Sequence, residues 1–174
     1  MAITRLGGAN AISGTIPQGN IANASLGAVT ALPAAITTGK VLQVQQQVYS
    51  TFTQSNSTSY TDTGLTKDIT PSSTSNKILI TCSAQVNTNT SNAQAISFDL
   101  LRAGSSIKQF EAVLQGSANF SSQISFTYLD SPSSTSALTY KIQYKGNSSN
   151  YYRINNEYTS GNCGSTLTLM EIAG

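Results

Sequence analysis

From Lys40 to Ile172 the sequence repeats one pattern, in which a short segment rich in Val, Ile, Thr, Tyr and Phe is followed by a polar turn. These segments recur at intervals of roughly 8 to 15 residues. No sequence between them has apolar residues at the spacing of an amphipathic helix. Short strands at this spacing are typical of antiparallel sheets packed as a sandwich or jelly roll. The sequence therefore predicts an all-β domain over residues 40–174 and excludes a parallel α/β fold.

The turns between the predicted strands contain Ser, Asn, Gly and Pro, as in PSSTSNK, SPSSTS and GNSSN. Ala103-Gly104-Ser105 is the short loop of a predicted hairpin, because it supplies the glycine that a tight turn needs. The strands themselves are predicted in KVLQVQQQVYSTF, SYTDTGLTKDIT, KILITCSAQVN, the two halves of AISFDLLRAGSSIKQFEAVL, QISFTYLD, ALTYKIQYK and STLTLMEI, with a weaker one in YYRINNEY.

Two of these segments alternate clearly between apolar and polar residues. KILITCSAQVN is the best predicted core strand, and the residues it places on its apolar face are Ile78, Ile80, Cys82, Ala84 and Val86. In KVLQVQQQVYSTF the apolar residues Leu42, Val44 and Val48 alternate with glutamines, which predicts one apolar and one wet face, with Gln46 as an exception on the apolar side.

Residues 1–39 differ from the rest of the chain. They combine glycines, Pro17 and Pro33 with scattered Ile, Leu and Ala that follow neither the helical nor the strand period. Too few large apolar residues are present to bury a core of their own. We therefore expect an extended N-terminal arm that needs a partner surface, and we place the domain boundary near Gly39.

The composition limits the partners of this chain. Ser, Thr, Asn and Gln supply 26, 22, 14 and 12 residues, together 74 of 174, whereas charged residues make up 9%. The nine basic residues are dispersed and the net charge is only +2, so the sequence does not support binding to nucleic acid. No apolar stretch is long enough to span a membrane, and the N-terminus lacks signal-peptide features, so we expect neither membrane insertion nor secretion by the general pathway.

Catalytic motifs are missing as well. The chain has no histidine, which excludes Ser-His-Asp and Cys-His catalysis and histidine-containing zinc sites. Cys82 and Cys163 belong to no CxxC pair, so they are either two small buried residues or one late-forming bridge. We expect no catalytic residues, no metal and no cofactor. A pair of carboxylates acting on a glycan is the remaining enzymatic alternative.

One polar stretch suggests binding. Tyr151, Tyr152, Arg153 and Tyr158 lie close together among amides. Tyrosine rings stack on the apolar face of a sugar while amides and guanidinium groups donate hydrogen bonds, so these four residues are candidate glycan contacts. An edge strand whose tyrosines cover the sandwich, or a subunit contact, is the structural alternative.

Several stretches resemble a family of tailed-bacteriophage proteins, of the kind found in marine and cyanobacterial phages, described as tail-fibre or virion structural proteins. The stretches are GKVLQVQQ, the TDTGL to ITPSSTSNKILI run, SFTYLDSP with SSTSALTYKIQY, and STLTLMEIAG. The resemblance implies a virion component assembled in the host cytoplasm. It implies architecture and setting, not an active site.

The arm segment AISGTIPQGNIANASL also resembles the "GTIP" segments of phage fibres, which are often homotrimers. By this resemblance we expect a short fibre or appendage, held to other virion proteins through residues 1–39, whose sandwich contacts the host surface. A capsid decoration or cement protein and a cellular carbohydrate-binding or adhesion module are the alternatives. The residues expected to make the docking or oligomer contacts are Ile12, Ile16, Pro17, Ile21 and Leu26.

Overall fold

The computed structural model describes residues 40–90, 92–115, 120–155 and 164–174. These residues form ten β-strands and no helix. The strands are β1 (Val41–Tyr49), β2 (Thr53–Ser55), β3 (Thr61–Ile69), β4 (Lys77–Thr88), β5 (Gln94–Arg102), β6 (Ser105–Leu114), β7 (Ser121–Asp130), β8 (Leu138–Gly146), β9 (Tyr152–Ile154) and β10 (Ser165–Ile172).

The ten strands form two antiparallel sheets. Sheet A contains β1, β2, β4, β7, β9 and β10, and sheet B has the order β3-β8-β5-β6. In sheet A, β2 pairs with β9 where β1 has ended, and β9 and β10 share the same edge of β4. Each of these pairs of strands is thus one interrupted strand, which leaves four strand positions in each sheet. The orders β1/β2-β9/β10-β4-β7 and β3-β8-β5-β6 are those of a jelly roll, so the all-β prediction is confirmed.

The core lies between the two sheets. The alternation predicted for β4 is confirmed, since Ile78, Ile80, Cys82, Ala84 and Val86 are all buried. Sheet B contributes aromatic and branched side chains, and the largest of them are Tyr140, Tyr144, Phe98, Leu65, Ile96, Leu100, Leu114 and Ile142. The predicted hairpin joins β5 to β6 through Ala103 and Gly104, which both adopt positive φ as a two-residue hairpin turn requires.

The two interruptions in sheet A lie beside each other and are held by Asn155. Its amide nitrogen donates to the carbonyl oxygens of Tyr49 (2.8 Å) and Thr51 (3.1 Å), which lie where β1 gives way to β2. Its amide oxygen accepts from the hydroxyl of Ser165 (2.6 Å), the first residue of β10. Asn155 is fully buried and has a φ of 57°, a conformation that Asn tolerates better than most residues. The side chain of Asn155 therefore bonds residues at both interruptions of sheet A.

Strand β1 corrects a prediction. Its residues do alternate, but the valine side points outward: Val44 and Val48 are 54% and 66% exposed. The glutamines other than Gln46 point toward sheet B, where Gln47 binds the edge strand β3. Gln47 accepts from the backbone N–H of Thr66 (2.6 Å) and donates to the carbonyl of Gly64 (3.3 Å). These bonds satisfy backbone groups that an edge strand leaves unpaired, and they form a glutamine seam along one side of the sandwich.

Two further predictions, the N-terminal arm and the bridge between Cys82 and Cys163, involve residues outside the described ranges. The arm and its boundary near Gly39 stay predictions. Cys82 carries a free, buried thiol whose pKa is raised to about 12 by burial, and its suggested partner Cys163 lies outside the described residues. Among the described ranges, no helix is long and apolar enough to cross a membrane.

Candidate functional site

The outer face of sheet A carries a row of apolar side chains. Directly paired residues on neighbouring antiparallel strands point to the same face. Val44 pairs with Met170, Met170 with Leu79, and Leu79 with Leu129. These four residues, here called the apolar row, cross the full width of the sheet. Val44 and Leu129, at the two ends, are 54% and 47% exposed.

The apolar row continues toward the beginning of β1. Val41 and Leu42 lie at a bulge in β1 and are both exposed, and Val41 pairs with Ile172. An aligned set of partly exposed apolar residues on the outer face of a sheet is a candidate interaction site. Lys40, the first described residue, lies at the same end of the sheet.

The next two rows of the same face bear hydroxyl and amide groups. One contains Gln46, Thr168, Thr81 and Thr127, and the following one contains Val48, Thr166, Ser83 and Ser125. Their groups bond each other, as where Gln46 donates to the hydroxyl of Thr168 (2.9 Å). Between Lys77 at one end and Arg153 at the other, the described strands place no charged side chain on this face.

The outer face of sheet B is different, because it is charged. Its described strands place six ionisable side chains on it, which are Asp62, Asp68, Asp99, Glu111, Lys141 and Lys145. Asp62 accepts from Lys141 (3.0 Å) and from the amide of Gln143 (2.8 Å). The bond from Gln143 is the main reason that the pKa of Asp62 is lowered.

A small pocket lies on this charged face beside Tyr60. Its volume is about 250 Å³, and its lining residues are Tyr60, Ser97, Gln109, Phe110, Glu111 and Lys145. The Lys145 ammonium lies 4.6 Å from the centre of the Tyr60 ring, a cation–π contact. Burial, with smaller contributions from Asp99 and Glu111, raises the pKa of Tyr60. An aromatic ring beside hydroxyl, amide and charged groups has the chemistry of a polyol or sugar site.

A second concavity lies along the glutamine seam. It is a cleft of about 460 Å³ lined by Gln43, Gln45 and residues 66–70. Its lining is mostly amide and hydroxyl, with Lys67 and Asp68 as the charged members. It offers hydrogen bonds to a small polar ligand but no aromatic stacking surface.

The structure divides the predicted tyrosine cluster. Tyr152 does not fit the glycan prediction, because its ring is fully buried and its hydroxyl bonds Gln94 (2.9 Å) and Asn147 (2.7 Å). The ring also covers Gly146, where any side chain would overlap it. Tyr151 is 41% exposed, and Arg153 is half-buried and donates to Gln54 (2.9 Å) and Asn87 (3.2 Å). Tyr158 lies outside the described residues.

Two other carboxylates, those of Glu171 and Asp130, are buried and hydrogen-bonded within the fold. Glu171 is buried and accepts hydrogen bonds from the side chains of Asn76 (2.6 Å) and Gln43 (2.7 Å) and from the backbone N–H (2.6 Å) and hydroxyl (2.8 Å) of Ser72. Desolvation alone would raise its pKa, but these bonds outweigh desolvation and lower the pKa to about 2. Asp130 is buried and binds Arg102 (2.8 Å) and the hydroxyl of Tyr140 (2.6 Å), which joins the two sheets.

Sequence reasoning missed both the apolar row and the Tyr60 pocket, because each is assembled from strands that are distant in the chain. The predicted docking residues Ile12, Ile16, Pro17, Ile21 and Leu26 lie outside the described residues and stay predictions. Among the described residues, no three Asp, Glu or Cys side chains cluster as metal ligands would.

No family model matches this chain, and no curated protein matches it in sequence. Among solved structures, it is similar to dimeric latent PorU from Porphyromonas gingivalis, with 7% identity and a TM-score of 0.42 over 78% of this chain and 14% of PorU. It is also similar to VP2 in the subviral particle of infectious bursal disease virus, with 10% identity and a TM-score of 0.34 over 77% of this chain and 38% of VP2. Likenesses this distant carry no argument about function.

Proposed function

We propose that this chain is a structural component of a tailed-bacteriophage virion, a short-fibre or appendage subunit that performs no catalysis. In this proposal residues 1–39 hold the protein to the particle, and the jelly roll is displayed and contacts the host surface. The observation that carries it is the contrast between the outer faces of the sandwich. One bears the apolar row and has no charged side chain between Lys77 and Arg153 in its described strands, as suits an assembly contact, whereas the other is charged.

The fold and the sequence give additional support. Jelly rolls recur in viral capsid and lectin domains, although a fold alone does not determine function. The strand segments GKVLQVQQ and STLTLMEIAG, which resemble tailed-phage proteins, form β1 and β10, the pair that carries one side of the apolar row. The resemblance therefore includes residues of the assembly face.

A capsid decoration protein is the second candidate. A sheet face about 15 Å wide, taking about 4.8 Å between strands, with no charged side chain between Lys77 and Arg153 in its described strands, also suits docking onto a shell. In that arrangement the arm would connect neighbouring subunits of the head instead of anchoring a fibre.

Localisation on purified particles separates these candidates. Antibodies raised against the sandwich, residues 40–174, are expected to label the tail of intact phage particles in immunogold electron microscopy. Labelling of the head would favour the decoration protein. Absence of the protein from particles purified by density gradient, measured by mass spectrometry, would contradict both.

Host contact is tested on the charged face. Particles carrying Tyr60→Ala are expected to adsorb to host cells more slowly than unmodified particles, because the substitution removes the ring that a sugar would stack on. Particles carrying Phe52→Ala, which removes a 50% exposed ring between β1 and β2 of sheet A, provide the matched control. Equal adsorption by all three would remove the Tyr60 pocket from the proposal.

A further inference from the structure

The apolar row is a candidate binding surface, because Val44 and Leu129 at its two ends are about half exposed in the described strands. We propose that the occupant is residues 6–39 of a second copy of this chain, so that neighbouring subunits exchange their N-terminal arms. This inference rests on the assembly role that both candidates, the fibre subunit and the decoration protein, give to the outer face of sheet A, and it names the partner at that face.

The chemistry of the segment matches that of the face. Residues 6–39 contain no charged side chain, and the outer face of sheet A has none between Lys77 and Arg153 in its described strands. The segment carries isoleucines and leucines spaced by small and polar residues, such as Ile12, Ile16 and Ile21. Apolar side chains on both surfaces would leave water together, and no charge on either surface would lose its hydration.

The length of the segment is sufficient. When extended, its 34 residues reach up to about 110 Å, whereas the apolar row crosses four strands and spans about 15 Å. The segment can therefore leave its own sandwich and still cross the row of a neighbour completely.

The direction in which the chain leaves the sandwich favours a neighbour. The carbonyl oxygen of Lys40 accepts from the backbone N–H of Ala173 (2.9 Å). This bond continues the pairing of β1 with β10 one step beyond Val41, so the chain is still following the strand axis at Lys40. At Lys40, the first described residue, the backbone therefore runs along the strand axis and not across the outer face of sheet A.

Photo-crosslinking on the full chain tests the exchange. A benzoylphenylalanine is placed at Leu79, in the middle of the apolar row, or at Val113 on β6 of sheet B as the control. Unlabelled and ¹⁵N-labelled copies are mixed and unfolded and refolded together, and the links are mapped by mass spectrometry. The expected result is links from position 79 to residues 6–39 that join light to heavy copies as often as copies of one label.

Three results would overturn the proposal. Links between position 79 and residues 6–39 that stay within one label would show that each arm covers its own sandwich. Links from position 79 to sheet A of another copy would show face-to-face packing. Links to residues 6–39 that are no more frequent from position 79 than from position 113 would show that the arm does not use the row.

A pair of exposed substitutions provides a second measurement. Val44→Thr with Leu129→Thr keeps β-branched or strand-compatible side chains at surface positions, so the fold should persist, as circular dichroism can verify. The expected result is a fall in native mass to that of one chain, 18.2 kDa, while Val113→Thr keeps the oligomer. An oligomer that survives the double substitution would contradict the exchange. Neither measurement uses phage particles, so each can fail independently of the proposed function.

Discussion

The two outer faces of this sandwich are built from sheets of similar size, yet they have opposite chemistry. Sheet A presents the apolar row followed by hydroxyl and amide rows, whereas sheet B presents six ionisable side chains and the Tyr60 pocket. Both faces cover one shared core. The shared core therefore does not determine the chemistry of the outward-facing residues. On sheet A the outward-facing residues are more apolar than contact with solvent requires.

The outer faces are expected to bind partners, whereas the interior stabilises the fold. A substitution in the interior should therefore have the largest effect on the free energy of unfolding. Tyr152→Ala is expected to lower the free energy of unfolding by about 3–5 kcal/mol, because it removes a fully buried ring and its hydrogen-bonded hydroxyl. Tyr151→Ala, at the neighbouring exposed position, should change it by less than about 0.5 kcal/mol. Urea unfolding measures both. Similar losses in the two variants would place the exposed stretch in the stabilising core and blur the distinction.

Acid should weaken the interior through Glu171. The pKa of its carboxyl is about 2 in the folded protein and 4.5 ordinarily, so the stabilisation is present above pH 4.5. It is lost as the pH falls from 4.5 toward 2, by about 3 kcal/mol in total. Unfolding by denaturant across this pH range measures the loss.

Glu171→Gln separates this effect from titration of the charged face. The variant should be less stable at pH 7, because an amide cannot accept all the bonds that the carboxylate accepts. Its stability should then change much less between pH 4.5 and 2. An undiminished slope in the variant would attribute the acid sensitivity to carboxylates of sheet B such as Asp62.

A charge placed on the apolar row should disrupt assembly and leave folding intact. Leu129→Lys is expected to weaken self-association by about 2 kcal/mol, because the ammonium must be desolvated at an apolar contact. Sedimentation analysis measures the affinity. Val113→Lys places the same charge at a valine on sheet B that is 64% exposed and should leave the affinity unchanged. Equal weakening by both would contradict the division between the two faces.

The smallest effect is expected on the charged face. Asp62→Asn removes the ion pair with Lys141, in which both side chains are largely exposed. Exposed pairs of this kind contribute little, so the free energy of unfolding should fall by less than about 0.5 kcal/mol at physiological salt. Thermal unfolding at low and high salt measures it. A loss above about 1 kcal/mol would mean that the face of sheet B is itself stabilising.

The sequence predicts some of this architecture because alternation in a strand identifies which residues share a face. In β4 the apolar set is continuous from Ile78 to Val86, so the inward side is clear. In β1 alternation also groups Val44 with Val48, but it does not say which group faces the core. The glutamines other than Gln46 face inward because their amides can bond backbone groups at the edge of β3. The sequence of β1 alone does not reveal these backbone groups.

The candidate sites were harder to predict for the same reason. The apolar row and the Tyr60 pocket exist only through the register of four strands, and no single segment contains more than part of either. Tyr151 and Tyr152 are adjacent and chemically identical in the sequence. Tyr152 is buried because its ring packs over Gly146, which has no side chain to obstruct it, whereas Tyr151 precedes β9 and is 41% exposed.

The interruption between β9 and β10 also has a consequence for engineering and for evolution. Strand β4 pairs with each of the two pieces separately, and Asn155 and Ser165 bond each other at the ends of the gap. Contacts among described residues therefore hold both ends of the interruption. A foreign peptide introduced between Asn155 and Gly164 should leave the pairing of β9 and β10 with β4 intact, so this junction is a position at which an insertion can be tried.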